Sequence, residues 1–210
     1  MKEIYAIFGG NFDPIHYGHI FSAEKLAKEI SIKKIILLPN QNPPHRSQTK
    51  TDIKHKLKMI EYAIKDNNLF EISLLETTKK KIFYTIDTLK TIRFKIGFLK
   101  PLCFIIGEDN LNNLNLWKNW KKILLYAHLL ILPRITIKKY NDELEKWIIS
   151  HTIKDKNCLY QKPFGFIFFS SIPIIQISST EIRRNFMQGK SSSKLLPTEI
   201  EKYILSKKLY

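Results

Sequence analysis

The sequence predicts an α/β protein with a doubly wound parallel sheet, and two patterns along the chain support this prediction. Short apolar runs recur at intervals, and several are apolar at nearly every position. This composition is typical of parallel strands that are covered on both faces. Segments with helical spacing separate most of the runs, so strand and helix alternate through most of the chain. Ligands are therefore expected at the carboxyl ends of the strands.

Each predicted element follows from its local pattern. The apolar runs place strands at residues 4–8, 35–38, 70–75, 102–106, 129–132 and 166–169. Helical spacing places helices at residues 19–30, 51–65, 85–96, 118–126, 140–151, 179–188 and 198–207. Thr51 is the expected N-cap of the second helix, and the last helix begins after Pro197. With no internal repeat or linker, we predict one domain spanning residues 1–210.

The chain of 210 residues has a formal net charge of +16, which is compatible with binding to nucleic acid or to an anionic ligand. The lysines are scattered, however, and drift toward A/T-rich codons would also enrich Lys, Ile and Asn. We therefore favour a solvated basic surface over a nucleic-acid patch.

Three observations indicate a soluble cytoplasmic protein with no membrane partner. Cys103 and Cys158 match neither a disulfide framework nor a zinc pattern. The longest apolar run, residues 123–132, is far shorter than the roughly 20 residues of a spanning helix. The N-terminus lacks the regions of a signal peptide.

The segment GGNFDPIHYGHI, residues 9–20, follows the first strand and is the first candidate for an anion site. Gly9 and Gly10 allow a ligand to approach the main chain closely. The next helix offers unpaired N–H groups at its start, and His16 and His19 can donate to phosphate oxygens from one side of that turn. The spacing excludes a dinucleotide fingerprint and a P-loop. Half of a metal site, or a loop with incidental histidines, remains an alternative.

A second candidate is ISSTEIRR, residues 177–184. Ser178 and Glu181 have the spacing of a capping box, which marks a helix start. The hydroxyls of Ser179 and Thr180 and the guanidinium of Arg183 can lie on one side of the helix N-terminus. Together they would form a site for a polyanion. An ordinary capped surface helix is the alternative, and it would be favoured if the segment stood alone.

Together these segments resemble the GGTFDPxHxGH and ISSTxIR signatures of the nucleotidylyltransferase superfamily. The resemblance implies a Rossmann-like fold of the nucleotidylyltransferase type, in which residues from about 178 to 210 complete the ATP site. It implies ATP binding by Gly9, Gly10, Asn11, Phe12, His16, His19, Ser178, Ser179, Thr180 and Arg183. His16, His19 and Arg183 are the expected catalytic residues. Asn11 replaces the usual Thr, and because Asn can still hydrogen-bond in a turn we expect no loss of activity.

Further segments resemble, in order along nearly the full chain, the bacterial nicotinate-nucleotide adenylyltransferase family. They are the PPHR loop within residues 39–46, YTIDTL at 84–89, and FIIGED at 104–109 with a Trp shortly after. By themselves they also fit a proline turn, a strand-end turn and core tryptophans. The resemblance implies nicotinate-nucleotide binding by Asn40, His45, Arg46, Thr85, Gly107, Asp109, Trp117 and Arg134, with Trp117 stacked on the pyridine. Residues 80–83, KKIF, depart from the small polar residues usual there.

The implied reaction transfers AMP from ATP to nicotinate mononucleotide, giving nicotinate adenine dinucleotide and pyrophosphate. Its nucleophile is a phosphate oxygen that is already ionised, so no general base or nucleophilic side chain is needed. Mg²⁺ is expected on the triphosphate, held by substrate oxygens and water rather than by a protein metal site. The alternatives are another adenylyltransferase of the superfamily, such as the pantetheine-phosphate type, or a cytidylyltransferase, and a basic nucleic-acid-binding module without catalysis.

Overall fold

The computed structural model describes residues 3–41, 51–77, 82–135 and 140–210. Within these ranges the strands are β1 (Ile4–Gly10), β2 (Ile32–Pro39), β3 (Phe70–Ile72), β4 (Leu102–Gly107), β5 (His128–Leu132) and β6 (Ile167–Phe169). The helices are α1 (Tyr17–Glu29), α2 (Ile53–Ala63), α3 (Thr85–Ile96), α4 (Glu108–Leu111), α5 (Asp142–His151), α6 (Cys158–Gln161), α7 (Ser179–Met187) and α8 (Thr198–Lys207). Two short 3-10 helices, Leu114–Leu116 and Trp120–Leu125, connect α4 to β5.

The strands form one parallel sheet in the order β3-β2-β1-β4-β5-β6. This order reverses between β1 and β4, which makes their carboxyl ends the switch point of a doubly wound sheet. The predicted fold is thus confirmed. The reversal also separates the loops that leave β1 and β4, so that a crevice opens between them.

Both faces of the sheet are covered, which explains the nearly continuous apolar runs of the strands. Successive residues of β1 alternate between two apolar layers: Ala6 belongs to the layer that includes α1, α2 and α8, and Ile7 to the layer that includes α3 and α5. In β4, Cys103 and Phe104 divide in the same way. Burial raises the pKa of the Cys103 thiol, which therefore remains protonated in the core.

Several predicted boundaries need correction. Thr51 is not the N-cap of α2; the carboxylate of Asp52 accepts from the backbone N–H of Lys54 at 3.2 Å and takes that place. The predicted helix at 118–126 is instead a 3-10 helix, Trp120–Leu125, and it begins only after Asn119, whose φ of 51° is left-handed. Across the described ranges, no helix has the combined length and apolarity to cross a bilayer.

Candidate active site

A cavity of about 510 Å³ opens at the carboxyl ends of β1, β2 and β4. Its wall includes the start of α3 and the segment that follows β4. The sequence-predicted site residues that line it are Gly9, Gly10, Asn11, Asn40, Thr85, Asp109 and Trp117. Residues predicted for ATP and residues predicted for the acceptor nucleotide therefore meet at a single cavity.

His16 and His19 form a pair at the start of α1, beside this cavity. His16 is the N-cap residue, its side chain is buried, and its ring centroid lies 3.8 Å from that of His19. The Nδ1 atoms of both rings are buried and have no hydrogen-bond partner among the described residues. Buried polar atoms without a partner at a helix start suit an incoming anion.

Both rings are neutral at physiological pH. Burial, assisted by the charge of Arg134, lowers the pKa of His16 to about 3. Burial lowers the pKa of His19 well below its usual range, and the charges of His16 and Arg134 act in the same direction. Each imidazole therefore offers one N–H donor without carrying a charge.

Two neighbours explain the geometry of the histidine pair. A Cβ at Gly18 would lie 2.9 Å from Nδ1 of His16, so the ring fits only because residue 18 is glycine. The ring of Phe12 is buried and lies edge-on to His19, with centroids 5.2 Å apart. The structure thus places the Phe12 side chain beneath the histidines, where it supports them, rather than in the open cavity.

The C-terminal motif, residues 177–184, contacts the main chain of the N-terminal motif, residues 9–20. Ser178 caps α7 by accepting from the backbone N–H of Glu181 at 3.1 Å, as its spacing predicts. Ser179 donates to the carbonyl of Pro14 at 3.0 Å. Arg183 donates to the carbonyl of Asp13 at 2.6 Å and to the hydroxyl of Thr180 at 3.2 Å. Two segments from opposite ends of the chain therefore form one unit.

The end of β4 brings three predicted residues together. A Cβ on Gly107 would overlap Oδ1 of Asp109 and would lie 3.4 Å from Cγ of Arg134. The Asp109 carboxylate thus folds back over the glycine, at the cavity wall. The charge of Arg134 also contributes, after burial, to the lowered pKa values of His16 and His19.

Glu76, which the sequence analysis missed, also lines the cavity and contacts the predicted residue Asn40. Its buried carboxylate accepts from the amide of Asn40 at 2.8 Å and from the hydroxyl of Thr88 at 2.6 Å. Burial raises the pKa of Glu76, and the two hydrogen bonds oppose that shift. Its position just after the predicted strand 70–75, at the carboxyl edge, was the signal that could have found it.

Trp117 lines the cavity and packs edge-on against Phe104, with ring centroids 6.4 Å apart. Trp120 instead packs against Trp147, with centroids 5.0 Å apart, as a core tryptophan does. The predicted residues His45 and Arg46 lie outside the described residues, as do residues 80 and 81.

Two other residues that the sequence analysis missed contact residues 9–16, which we call the glycine loop. Lys56 on α2 donates to Oδ1 of Asn11 at 2.7 Å, and the hydroxyl of Tyr210 donates to Oδ1 of Asp13 at 2.6 Å. Lys56 lies in an ordinary amphipathic helix pattern and Tyr210 is the last residue of the chain, so neither gave a signal in the sequence.

The chain is also similar to proteins of known family. The family model described as cytidylyltransferase-like matches residues 7–185. A probable nicotinate-nucleotide adenylyltransferase from Buchnera aphidicola subsp. Schizaphis graminum is 70% identical over 210 residues, which cover 100% of this chain and 97% of the relative. A protein of the same name from Yersinia pestis strain Pestoides F is 41% identical, with 99% and 96% coverage.

The fold is also shared with a solved structure. Plasmodium falciparum nicotinic acid mononucleotide adenylyltransferase, complexed with NaAD, matches with a TM-score of 0.75 at 22% sequence identity. The match covers 99% of this chain and 97% of the other. At this identity the comparison supports the architecture of the sheet and its flanking helices.

Proposed function

The chain belongs to the nicotinate-nucleotide adenylyltransferase family, and from this premise we propose that it transfers AMP from ATP to nicotinate mononucleotide. The products are nicotinate adenine dinucleotide and pyrophosphate, so the proposed role is a step in NAD biosynthesis. The observation that carries the proposal is the docking of the C-terminal motif on the glycine loop, through Arg183 and the carbonyl of Asp13, beside a cavity large enough for a nucleotide.

ATP is assigned to the unit formed by the two motifs. The glycine loop and the start of α1 take the triphosphate, with His16 and His19 as neutral donors to its oxygens. The start of α7 and Arg183 take the leaving pyrophosphate, where positive charge and hydroxyl donors stabilise the negative charge that develops. The remaining ATP-site residues in this proposal are Gly9, Gly10, Asn11, Ser178, Ser179 and Thr180, with Phe12 beneath the histidines as their support.

The acceptor nucleotide is assigned to the cavity. Trp117 offers a ring face for the pyridine, and Asp109 accepts from ribose hydroxyls. The N-terminus of α3, which begins at Thr85, offers backbone N–H groups to the nicotinate carboxylate. Asn40, His45, Arg46, Gly107 and Arg134 complete the proposed acceptor site.

Catalysis then consists of alignment and charge stabilisation. A phosphate oxygen of the acceptor attacks the α-phosphorus of ATP, a new P–O bond forms, and the bond to pyrophosphate breaks. The attacking oxygen is already ionised, so the protein needs to supply no base. Holding the two phosphates in line is the main contribution expected of the side chains.

A divalent metal fits this scheme as part of the ATP substrate. The side chains assigned to the triphosphate are imidazoles, hydroxyls and a guanidinium, which suit phosphate oxygens rather than a hard cation. Mg²⁺ is the proposed ion, bound by triphosphate oxygens and water. When bound, it neutralises part of the charge on the leaving group.

We further propose that residues 1–210 act as one domain in the cytoplasm, in which about residues 178–210 complete the ATP site. Its substrates are small molecules, and neither nucleic acid nor a membrane is a proposed partner.

The test is a pyrophosphate-release assay with ATP and a panel of acceptors: nicotinate mononucleotide, nicotinamide mononucleotide and phosphopantetheine. We expect the first to give the highest kcat/KM. His19→Ala should lower turnover at least about 10²-fold with a smaller effect on folding, because it removes a contact to the transferring phosphates. Preference for phosphopantetheine, or salt-sensitive RNA binding without pyrophosphate release, would favour the alternatives.

A further inference from the structure

Lys56 is a buried cation that the mechanism above does not use. It lies on α2 and its side chain is fully buried. Its ammonium donates to Oδ1 of Asn11 at 2.7 Å and makes a longer contact, 3.4 Å, with the carbonyl oxygen of Asn40. Both asparagines line the cavity. One ammonium group therefore contacts both the glycine loop after β1, which is assigned to ATP, and Asn40 after β2, which is assigned to the acceptor nucleotide.

The contact fixes the orientation of the Asn11 amide. A lysine ammonium has only donors, so the amide oxygen must face it. The Nδ2 group of Asn11, with its two N–H donors, then points away from Lys56. Because Asn11 lines the cavity, an orientation with its oxygen on Lys56 would leave these donors for a phosphate oxygen bound there. An unconstrained asparagine could turn either its oxygen or its nitrogen toward the substrate.

The electrostatic surroundings of Lys56 leave its charge only partly compensated. Burial lowers the pKa of Lys56, and the charge of Arg183 acts in the same direction, whereas Asp13 and Asp52 oppose the shift. Across the described part of the chain, no carboxylate forms an ion pair with it. A buried, incompletely paired cation is costly to the fold on its own. An anionic ligand in the adjoining cavity would compensate it.

We propose that Lys56 is a positioning residue for the transfer reaction. It orients the Asn11 amide and holds the glycine loop, assigned to ATP, next to Asn40, assigned to the acceptor. This inference rests on the proposed function. Lys56 touches no substrate in this scheme; it acts through Asn11 and Asn40. Its replacement should therefore disturb the alignment of the two phosphates more than the binding of either nucleotide.

Lys56→Met tests the proposal because methionine has a similar length and carries no charge. We expect kcat to fall at least about tenfold, while the KM values for ATP and for nicotinate mononucleotide change less. Lys56→Arg, which keeps the charge and the donors, should retain more of the turnover than Lys56→Met. A folded Lys56→Met variant with wild-type kcat would overturn the proposal.

A double-mutant cycle tests whether Lys56 acts through Asn11. If it does, Lys56→Met should cost less turnover in an Asn11→Ala background than in the wild-type chain. Equal costs in the two backgrounds would mean that Lys56 acts independently, which would overturn the inference. Wild-type chain that releases no pyrophosphate would instead refute the proposed function itself.

Asn11→Asp provides an isosteric test that does not depend on folding of the Lys56 variants. Its carboxylate can pair with Lys56, so the melting temperature should not fall. In this variant a carboxylate oxygen replaces the Nδ2 group, so the two N–H donors are lost and the negative charge repels phosphate. The KM for ATP should then rise at least about tenfold. An unchanged KM for ATP would show that the amide does not face the triphosphate, and would refute the proposed orientation.

Discussion

Gly107→Ala should impair the acceptor site without unfolding the protein. Gly107 ends β4 with an ordinary extended backbone, φ −80° and ψ 157°, so alanine introduces no backbone strain. Its Cβ would, however, overlap Oδ1 of Asp109, inside the 3.0 Å that real Cβ contacts essentially never show. The carboxylate is the mobile end of a side chain and can retreat by about 1 Å to reach ordinary contact distance.

The displaced group sets the size of the effect. Asp109 is proposed to accept from the ribose hydroxyls of the acceptor, and a hydrogen bond to a charged group contributes about 1.5–3 kcal/mol. Its loss corresponds to roughly a 10- to 150-fold fall in kcat/KM for nicotinate mononucleotide. Stability should change by less than about 1 kcal/mol, since alanine also restricts the unfolded chain.

Steady-state kinetics with both substrates, together with urea denaturation, measure these two quantities. A double-mutant cycle isolates the cause: in an Asp109→Ala background, Gly107→Ala should cost little further kcat/KM, because the carboxylate is already absent. The explanation fails if Gly107→Ala stays within twofold of the wild type, or if it costs the same factor in both backgrounds.

Three further predictions concern residues around the same sheet. Burial lowers the pKa of His128 from 6.5 to about 4, and its Nδ1 accepts from the N–H of Phe166. The fold thus favours the neutral ring, and its contribution to stability, complete above pH 6.5, should fall by about 2 kcal/mol between pH 7 and 5. In urea titrations the non-titrating variant His128→Asn should show a flatter pH dependence, and parallel curves would contradict this. Trp117→Ala should raise the KM for the acceptor more than the KM for ATP in initial-rate assays; an effect confined to ATP would place the stacking surface elsewhere. Tyr210→Phe removes the hydroxyl that donates to Asp13 and should lower kcat several-fold at saturating substrates, whereas an unchanged kcat would make that contact dispensable.

The parts of the fold that follow from periodicity could be predicted from the sequence. The apolar run 102–106 corresponds to β4, because a strand buried on both faces leaves an unmistakable pattern. The boundaries that failed depend on single residues, such as the left-handed Asn119, after which the helix predicted from residue 118 begins. Arg93 shares a helix face with Ile86 and Leu89, and it can be fully buried there because its donors meet backbone carbonyls of distant segments, including that of Pro163.

The candidate site divides in the same way. The glycine loop and the capped helix at Ser178 were predictable, because local turn and cap chemistry leaves a local signature. Lys56 and Glu76 were not found, because their roles arise from contacts across more than ten residues, with Asn11 and with Thr88. Asn11 stands where the superfamily signature usually has Thr. Its contact with the Lys56 ammonium could not be predicted from the sequence.

The charges around the proposed ATP site suit a polyanion while the histidines stay neutral. Burial, assisted by the charge of Arg134, lowers the pKa of both His16 and His19, so the imidazoles add no charge of their own. Positive charge is then supplied by the guanidinium groups of Arg183, assigned to the leaving pyrophosphate, and Arg134, assigned to the acceptor. The imidazoles contribute hydrogen-bond donors whose number does not change as the pH varies around 7. Recognition of the triphosphate by His16 and His19 is consequently expected to depend little on pH in that range, because burial keeps both rings neutral there.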